Sequence, residues 1–566
     1  MRRALTRREF LRVSGGAAGV VLLAACAAPA AAPAAPAQQE APAPEAAAVT
    51  EAPGTAEGGL LRPSGNPKRG GTLRVAVGVT TSNYDIQQGG VAHVLCQLYN
   101  NLVRLNLTDG LRSVVPDLAE SWEISEDGLT YTFTLRQGVT FHDGEPFTAD
   151  DVVATFNRIL DPPEGVIIPL AADMGMVSSV EKVDDYTVRF NLSSPRAYFL
   201  QLLSGTGMVI FSKKTLDENS GDLREVQVPP GTGAFKYVSY QTAEKWTLER
   251  NPDYWDSELP YIDNLEFLHV PAWSDRGTAV LTDQADLSWN VSFETWTEGQ
   301  SRSDIVQVQK LANFGAYWVL INTAKEPFGD PRVRRAIHLA VSRQNLAAAF
   351  ATQEQINLTR WIPYGDPYAT SPEEIAQLPG YREDKTADIE EAKALMAEAG
   401  YPDGIQGVEI LAATGPQAEL IAPAFQDMLS RALGIQAEIR AIERAQLVEE
   451  EKNGNFTLVI DTPGHGISDI SPRANLWWRT GGSQNWGGYS NPEFDALLDQ
   501  IDVELDQAKR QDLINQALDL LDQDPPWFLI GYTYHLPMWR NHVKGLMLAD
   551  RAFAEWGRIE TVWLDV

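Results

Sequence analysis

Apolar and polar positions alternate most cleanly in "DGLTYTFTLRQGVTF", where Leu129, Tyr131, Phe133 and Leu135 interleave with Thr130, Thr132 and Thr134. That period of two predicts a half-buried β-strand entered from an Asp127-Gly128 turn. The spacing turns helical in "TADDVVATFNRIL": Val152, Phe156 and Ile159 share a face, Thr148 stands at the cap and Asp151 three residues on. Period two returns in "VEKVDDYTVRFNLS" through Tyr186, Val188 and Phe190. Further on, "DIEEAKALMAEAGYPDG" predicts a helix capped by Asp388, striped by Ile389, Ala392, Leu395, Met396 and Ala399, and stopped by Gly400 and Pro402. A strand, "VEILAA", follows. Asn491 and Pro492 open another helix, "NPEFDALLDQI", then "AKRQDLINQALDLLDQ" runs to Pro525-Pro526 and "WFLIGYTYHLPMW" resumes as strand. Strands and helices intermix throughout, so the class is α/β (α+β) in more than one lobe.

Some aromatic residues fall outside any such period. "NLWWRTGGSQNWGGYSNPEFD" sets Trp477, Trp478 and Trp486 in a Gly- and Ser-rich loop with no helical or strand repeat to bury them. Trp289, Trp296 and Trp361 also lie in turn-rich or unpatterned stretches, whereas Trp122 and Trp255 sit on patterned segments and are expected in the core. Tryptophan faces stack on sugar rings, amides and cations, so the unpatterned set is a candidate solute-contacting surface.

The N-terminus reads as an address. "TRREFLR" carries Arg7 and Arg8 before the apolar run "VSGGAAGVVLLAA", which is too short for the roughly 20 residues of a membrane-spanning helix. The pattern resembles a twin-arginine export signal, and "LAAC" resembles a lipobox in which Cys26 becomes the lipidated terminus. Residues 27–67 are largely Ala/Pro-rich and predict a disordered tether. The chain has two cysteines, so with Cys26 lipidated Cys96 has no disulfide partner; its apolar, helically spaced context predicts a buried small hydrophobe.

At 566 residues the chain is long enough for several structural units. Its formal net charge of −30 repels phosphate backbones and argues against nucleic-acid binding. Catalytic and metal motifs are missing: there is no GxSxG, HExxH or GxxxxGK[ST], and the seven histidines show no metal-ligand spacing. "GTGAF", Gly231 to Phe235, reads as a turn with close backbone packing. His142 reads as a hydrogen-bonded structural residue ahead of a general base. No cofactor is expected.

From Pro116 to Leu160, "PDLAESWEISEDGLTYTFTLRQGVTFHDGEPFTADDVVATFNRIL" resembles the extracytoplasmic solute-binding proteins of the peptide/nickel family (family 5) of ABC importers. Further similar blocks follow in order: "GTGAFKYVSYQTAEKWTLERNPDYW", "FGDPRVRRAIHLAVSR", "ADIEEAKALMAEAGYPDG" and "YSNPEFDALLDQ", together spanning Lys68 to Val566. The resemblance implies a two-lobed periplasmic-binding-protein-like fold. Lobe one would take residues 68–314, with an extra subdomain inserted at 116–203; lobe two would take 315–527, and 528–566 would return to lobe one. It implies capture of a solute between the lobes, without catalysis, and delivery to an ABC permease powered by its ATPase subunits. The protein would act as a monomer anchored by lipid to the outer face of the cell membrane, at the cell surface or in the periplasm.

In peptide-binding members a "DYPDP"-like segment offers a carboxylate to the ligand's ammonium. In "SDISPRANLW" Asp469 matches its first Asp, while Pro472 stands where the second would be. Tyr84 and Asn322 match cleft-lining segments. The candidate ligand-binding residues are therefore Tyr84, Trp289, Asn322, Trp361, Asp469, Trp477, Trp478 and Trp486. Oligopeptides or peptide-like solutes come first among ligands, oligosaccharides second on the strength of the aromatic loop, and nickel third. The competing class is an exported hydrolase using Asp143, Glu145 or Asp469, which would need two of these carboxylates to converge.

Overall fold

The computed structural model describes residues 54–55, 61–62 and 65–566, apart from 79, 82, 90–91, 108, 110, 351–354, 464–468 and 551–557. Arg7, Arg8, Cys26 and most of the expected tether lie outside the described residues. The globular body takes shape around three sheets.

The first sheet has seven strands in the order Phe235–Gln241, Lys245–Arg250, Asn264–His269, Thr72–Val77, Leu287–Ser288, Met538–Arg540 and Val306–Val308. At its centre Asn264–His269 and Thr72–Val77 run parallel, Leu265 opposite Leu73 and Phe267 opposite Val75. All four of these side chains are buried in one core with Trp246 and Trp289. Gly231 and Gly233 pass so close to the chain at Leu98 that a Cβ on either would lie 1.9 or 2.3 Å from its backbone. The close-packing reading of "GTGAF" holds.

The second sheet is four-stranded and antiparallel, ordered Ala119–Ile124, Thr130–Leu135, Thr187–Leu192, Val177–Asp184. Tyr131, Phe133 and Leu135 point inward as their alternation predicts, against Val188 and Phe190 of the neighbouring strand. The helix Ala149–Leu160 lays Val152, Phe156 and Ile159 on this core, and Thr148 with Asp151 closes a capping box at its start.

Six strands make the third sheet: Ile356–Asn357, Trp527–His535, Leu311–Ile321, Leu458–Asp461, Val408–Ala413 and Ala437–Ile442. Both faces are covered. Val319 and Ile321 fill one core with Phe425 and Phe528, while Trp318 and Leu320 fill the other with Trp477, Trp478 and Trp527. Burial on both faces explains why the strands Trp527–His535, Leu311–Ile321, Leu458–Asp461 and Val408–Ala413 read as near-continuous apolar runs.

The chain passes from the first sheet to the third between Val308 and Leu311, and returns between His535 and Met538, where Leu311 pairs with His535. Sheet membership thus changes at different points from those the sequence suggested. Leu311–Ile321 belongs to the third sheet along its whole length, and so does Trp527–His535, so the return falls after 535 rather than at 528. The reason is that Trp527 to Ile530 supply side chains to both faces of that sheet, and the "LP" of Leu536-Pro537 interrupts pairing before Met538. A smaller shift concerns the helix Thr386–Glu398. It starts ahead of Asp388, which lies inside it, accepting from the backbone N–H of Gly380 at 2.9 Å and pairing with Lys385.

Candidate ligand-binding cleft

The helix Ile470–Trp477 and the segment around Asp502 of the sheet-three lobe face the body of the chain before residue 310. Asp469 caps this helix, its carboxylate accepting from the N–H of Ser471 at 2.8 Å. Pro472, Asn475 and Leu476 on the helix, with Arg479, Asp499 and Asp502, wall a cavity of about 560 Å³. Its opposite wall is Asp173, Met176, Ser194, Arg196 and Tyr198 of the other lobe. A second cavity, of about 400 Å³, opens between Leu111, Arg112 and Gln201 on one side and Tyr368, Asp469 and Arg510 on the other.

The lobes touch beside the first cavity. Arg196 Nη1 donates to Asp502 Oδ2 at 2.5 Å, the Ala197 N–H donates to the Asp502 carbonyl at 2.9 Å, and Asn475 Nδ2 donates to the same carboxylate at 2.9 Å. Burial raises the Asp502 carboxyl above its ordinary range, and the Arg196 cation and Asn475 amide pull against that rise.

Asp469, the expected acceptor for a ligand's ammonium, is already occupied. Arg510 reaches both of its oxygens, at 2.7 and 2.9 Å, within a fully buried pair. Burial works to raise this carboxyl, yet the charge and hydrogen bonds of Arg510 outweigh it and hold it below the ordinary carboxylate range.

The tryptophan loop is the clearest departure from expectation. Trp477 ends the helix and Trp478 follows it; they are 2% and 1% exposed, not set in an open loop. Their ring centroids lie 6.2 and 5.8 Å from that of Trp318 and 5.4 and 6.0 Å from that of Trp527. Trp361, 1% exposed, closes the group at 5.4 Å from Trp478 and donates its indole N–H to Asp522 at 2.7 Å. Five indoles thus form the centre of a core. The signal was present: Ile470, Ala474, Trp477 and Trp478 are spaced i, i+4, i+7 and i+8 behind the Asp469 cap, the stripe of a buried helix. The Gly- and Ser-rich residues that follow masked it.

The other candidates separate. Trp486 is half-buried on the edge of the same tryptophan core. Trp289, 3% exposed, lies in the core of the first sheet, and Trp296 donates its indole N–H to the Gln309 carbonyl at 2.9 Å. Tyr84 is half-buried, edge-on to Trp246 at 5.6 Å. The Asn322 amide is used internally: it donates to the carbonyls of Gly454 and Phe456 at 3.0 and 2.9 Å and accepts from the N–H of Ala324. The structure therefore brings Trp361, Trp477, Trp478 and Trp486 together as scaffold, and does not gather the eight candidates around one solute.

Of the hydrolase candidates, Asp143 and Glu145 both lie against Lys214, at 4.0 and 2.8 Å, on a solvent-facing turn outside the interlobe cavities, and Asp469 is bound to Arg510. His142, half-buried against the Gly233 carbonyl at 3.0 Å, is pushed down to about 4 by desolvation, in keeping with the structural role expected of it. Cys96 is buried as expected, at 3% exposure. Among the described residues no cluster of three or more His, Cys, Asp or Glu could hold a metal ion.

Two residues that the sequence gave no reason to single out lie in the sheet-three lobe. Glu451, fully buried in the helix Arg444–Lys452, has no hydrogen-bond partner for either carboxylate oxygen among the described residues, and burial pushes it up to about 7. Arg473 is 2% exposed and, among the described residues, donates through Nη1 alone, to the Tyr532 hydroxyl at 2.9 Å.

Two lobes of mixed helix and sheet, joined by two crossings and enclosing cavities walled from both sides, define the class of two-lobed solute-binding proteins. Residues 113–487 match the family model of bacterial extracellular solute-binding proteins, family 5, and the chain belongs to that family. It is 29% identical over 486 residues to heme-binding protein A of Haemophilus influenzae, covering 79% of this chain and 84% of that protein. With di/tripeptide-binding protein 2 of Pseudomonas aeruginosa it shares 28% identity over 494 residues, 82% of this chain and 89% of that one. Among solved structures, the periplasmic binding protein DppA from Helicobacter pylori, in complex with the peptide STSA, superposes with a TM-score of 0.71 at 27% identity. That superposition covers 88% of this chain and 99% of DppA.

Proposed function

We propose that this protein is the substrate-binding component of an ABC importer that captures short peptides or peptide-like solutes between its lobes. In this reading it is tethered outside the membrane through lipidated Cys26. The observation that carries it is the cavity of about 560 Å³ walled from both lobes, a volume within the range of small-solute sites. Relatives named for di- and tripeptide binding favour peptides over other solutes. The oligosaccharide alternative rested on an open loop of three tryptophans; Trp477 and Trp478 lie in a core and Trp486 is half-buried at its edge, which leaves that alternative with less support.

Binding without chemistry fits this arrangement, since closure is favoured only as far as a ligand contacts both lobes at once. Peptides of two to five residues are expected to raise the melting temperature, and cello-, xylo- and manno-oligosaccharides to leave it unchanged. A shift with oligosaccharides alone, or hydrolysis of any of these compounds, would overturn the reading. The tether is tested separately: Cys26→Ser should move the chain from the membrane fraction to the soluble one.

A further inference from the structure

A thin wall, to which both lobes contribute, separates the two interlobe cavities. In the segment 194–198 Arg196 and Tyr198 line the larger cavity, while Ala197 between them lines the smaller one. The end of the helix Pro492–Val503 divides in the same way, with Asp502 and Val503 on the larger cavity and Glu504 and Leu505 on the smaller. On the helix Ile470–Trp477, Pro472 belongs to the larger cavity and the Asp469 cap to the smaller. The three positions between Asp469 and Pro472 amount to about 4.5 Å of helix rise. An extended peptide advances about 3.3 Å per residue, so the wall is thinner than two residues of such a chain.

Asp502 is the centre of the wall. Arg196 and the Ala197 N–H reach it from the other lobe, and Asn475 Nδ2 lies 3.2 and 2.9 Å from its two carboxylate oxygens. The Asp502 side chain is 5% exposed and that of Arg196 18%, so breaking their pair costs more than breaking one on the open surface. Apolar groups close the wall beside them: a Cβ on Gly128 would lie 3.3 Å from Pro195 Cβ and 3.4 Å from Leu505 Cδ1. The segment 194–198 follows the strand Thr187–Leu192 of the second sheet and belongs to neither crossing between the lobes. The wall therefore exists only while the lobes are together.

We propose that this wall sets the length of solute the protein accepts, with Arg196, Asp502 and Leu505 as its determinants. This rests on the peptide reading above. A peptide held in the larger cavity ends against Arg196 and Asp502, and a longer one must part that pair or keep the lobes from closing. Either way it forfeits the same contacts, so affinity drops in one step at a single chain length. Without the wall the two cavities join, and the longer peptide runs on into the smaller one.

The test is isothermal titration of the full chain with alanine peptides of two to eight residues. The parent should show one step, a loss of about tenfold on adding a single residue, because a peptide that is too long gives up a closing contact of ordinary size. Arg196→Ala should flatten the profile, weakening the short peptides about tenfold and the long ones hardly at all, since both now lack the same contact. Arg196→Lys, which keeps the charge, should keep the step. Leu505→Ala should move the step to peptides one or two residues longer; Leu505 is 50% exposed, so this variant folds even if Arg196→Ala does not. A parent profile without a step, or a step unmoved in Leu505→Ala and unchanged in Arg196→Ala, overturns the proposal and leaves the peptide reading standing. No binding of any of these peptides by the parent overturns both.

Discussion

Replacing Trp477 by alanine tests whether the tryptophans act as core or as solute contacts. The side chain is 2% exposed and packs on Trp318, Trp478 and Trp527. A buried indole removes about 150–250 Å² from water, worth about 4–6 kcal/mol at ~25 cal/mol/Å². Compactness of the unfolded chain trims this to about 3–5 kcal/mol, the usual cost of truncating a buried tryptophan. The hydrogen bond from its Nε1 to Gln484 Oε1, 3.0 Å, adds little, because Gln484 is half-buried and regains water. With a urea slope of about 3 kcal/mol/M for a lobe of this size, the midpoint of the sheet-three lobe should fall by about 1–1.7 M. Tryptophan fluorescence reports it directly, since five indoles sit in the affected core. Trp477→Phe should recover much of the loss. A midpoint within about 0.3 M of the parent, together with a lost thermal response to peptide, would show the indole facing solute and refute the reasoning.

Two further predictions follow from buried charge. Burial raises Glu451 from its ordinary 4.5 to about 7, so the unfolded chain loses this proton first and folding stability falls as pH rises through that window. Glu451→Gln should therefore stabilise the protein by on the order of 3 kcal/mol at pH 8 and hardly at all at pH 4, read from urea midpoints at both values; equal effects at the two pH values would contradict it. Arg196 and Asp502 join the lobes beside the larger cavity, so Arg196→Ala should open the ligand-free protein, seen as a larger radius of gyration in solution scattering. It should also weaken peptide binding about tenfold, a coupling of ordinary size; unchanged scattering and affinity would remove the pair from the closing mechanism.

Much of the fold was legible because local rules sufficed. The strand Thr130–Leu135 announced itself by alternation, and the helix Ala149–Leu160 by its capping box and stripe. The candidate site was much less legible. Asn322 and Asp469 are polar residues in plausible places, but their partners are Gly454, Phe456 and Arg510, between 41 and 134 positions away in the chain. Which polar group is satisfied inside the lobe, and which is left over for a ligand, depends on such distant partners. No local pattern encodes them.

By itself the sequence determined the mixed α/β class, the resemblance to a two-lobed receptor and most element positions, since periodicity, caps and turn residues act within a few positions. Only the tertiary structure decided the fate of its tryptophans and charges. Trp477 and Trp478 became core because the strands Leu311–Ile321 and Trp527–His535 bring Trp318 and Trp527 onto them. Asp469 acquired a partner in Arg510, whereas among the described residues no carboxylate pairs with Arg473. Burial and pairing are relations between segments far apart along the chain, and they exist only once the sheets have assembled.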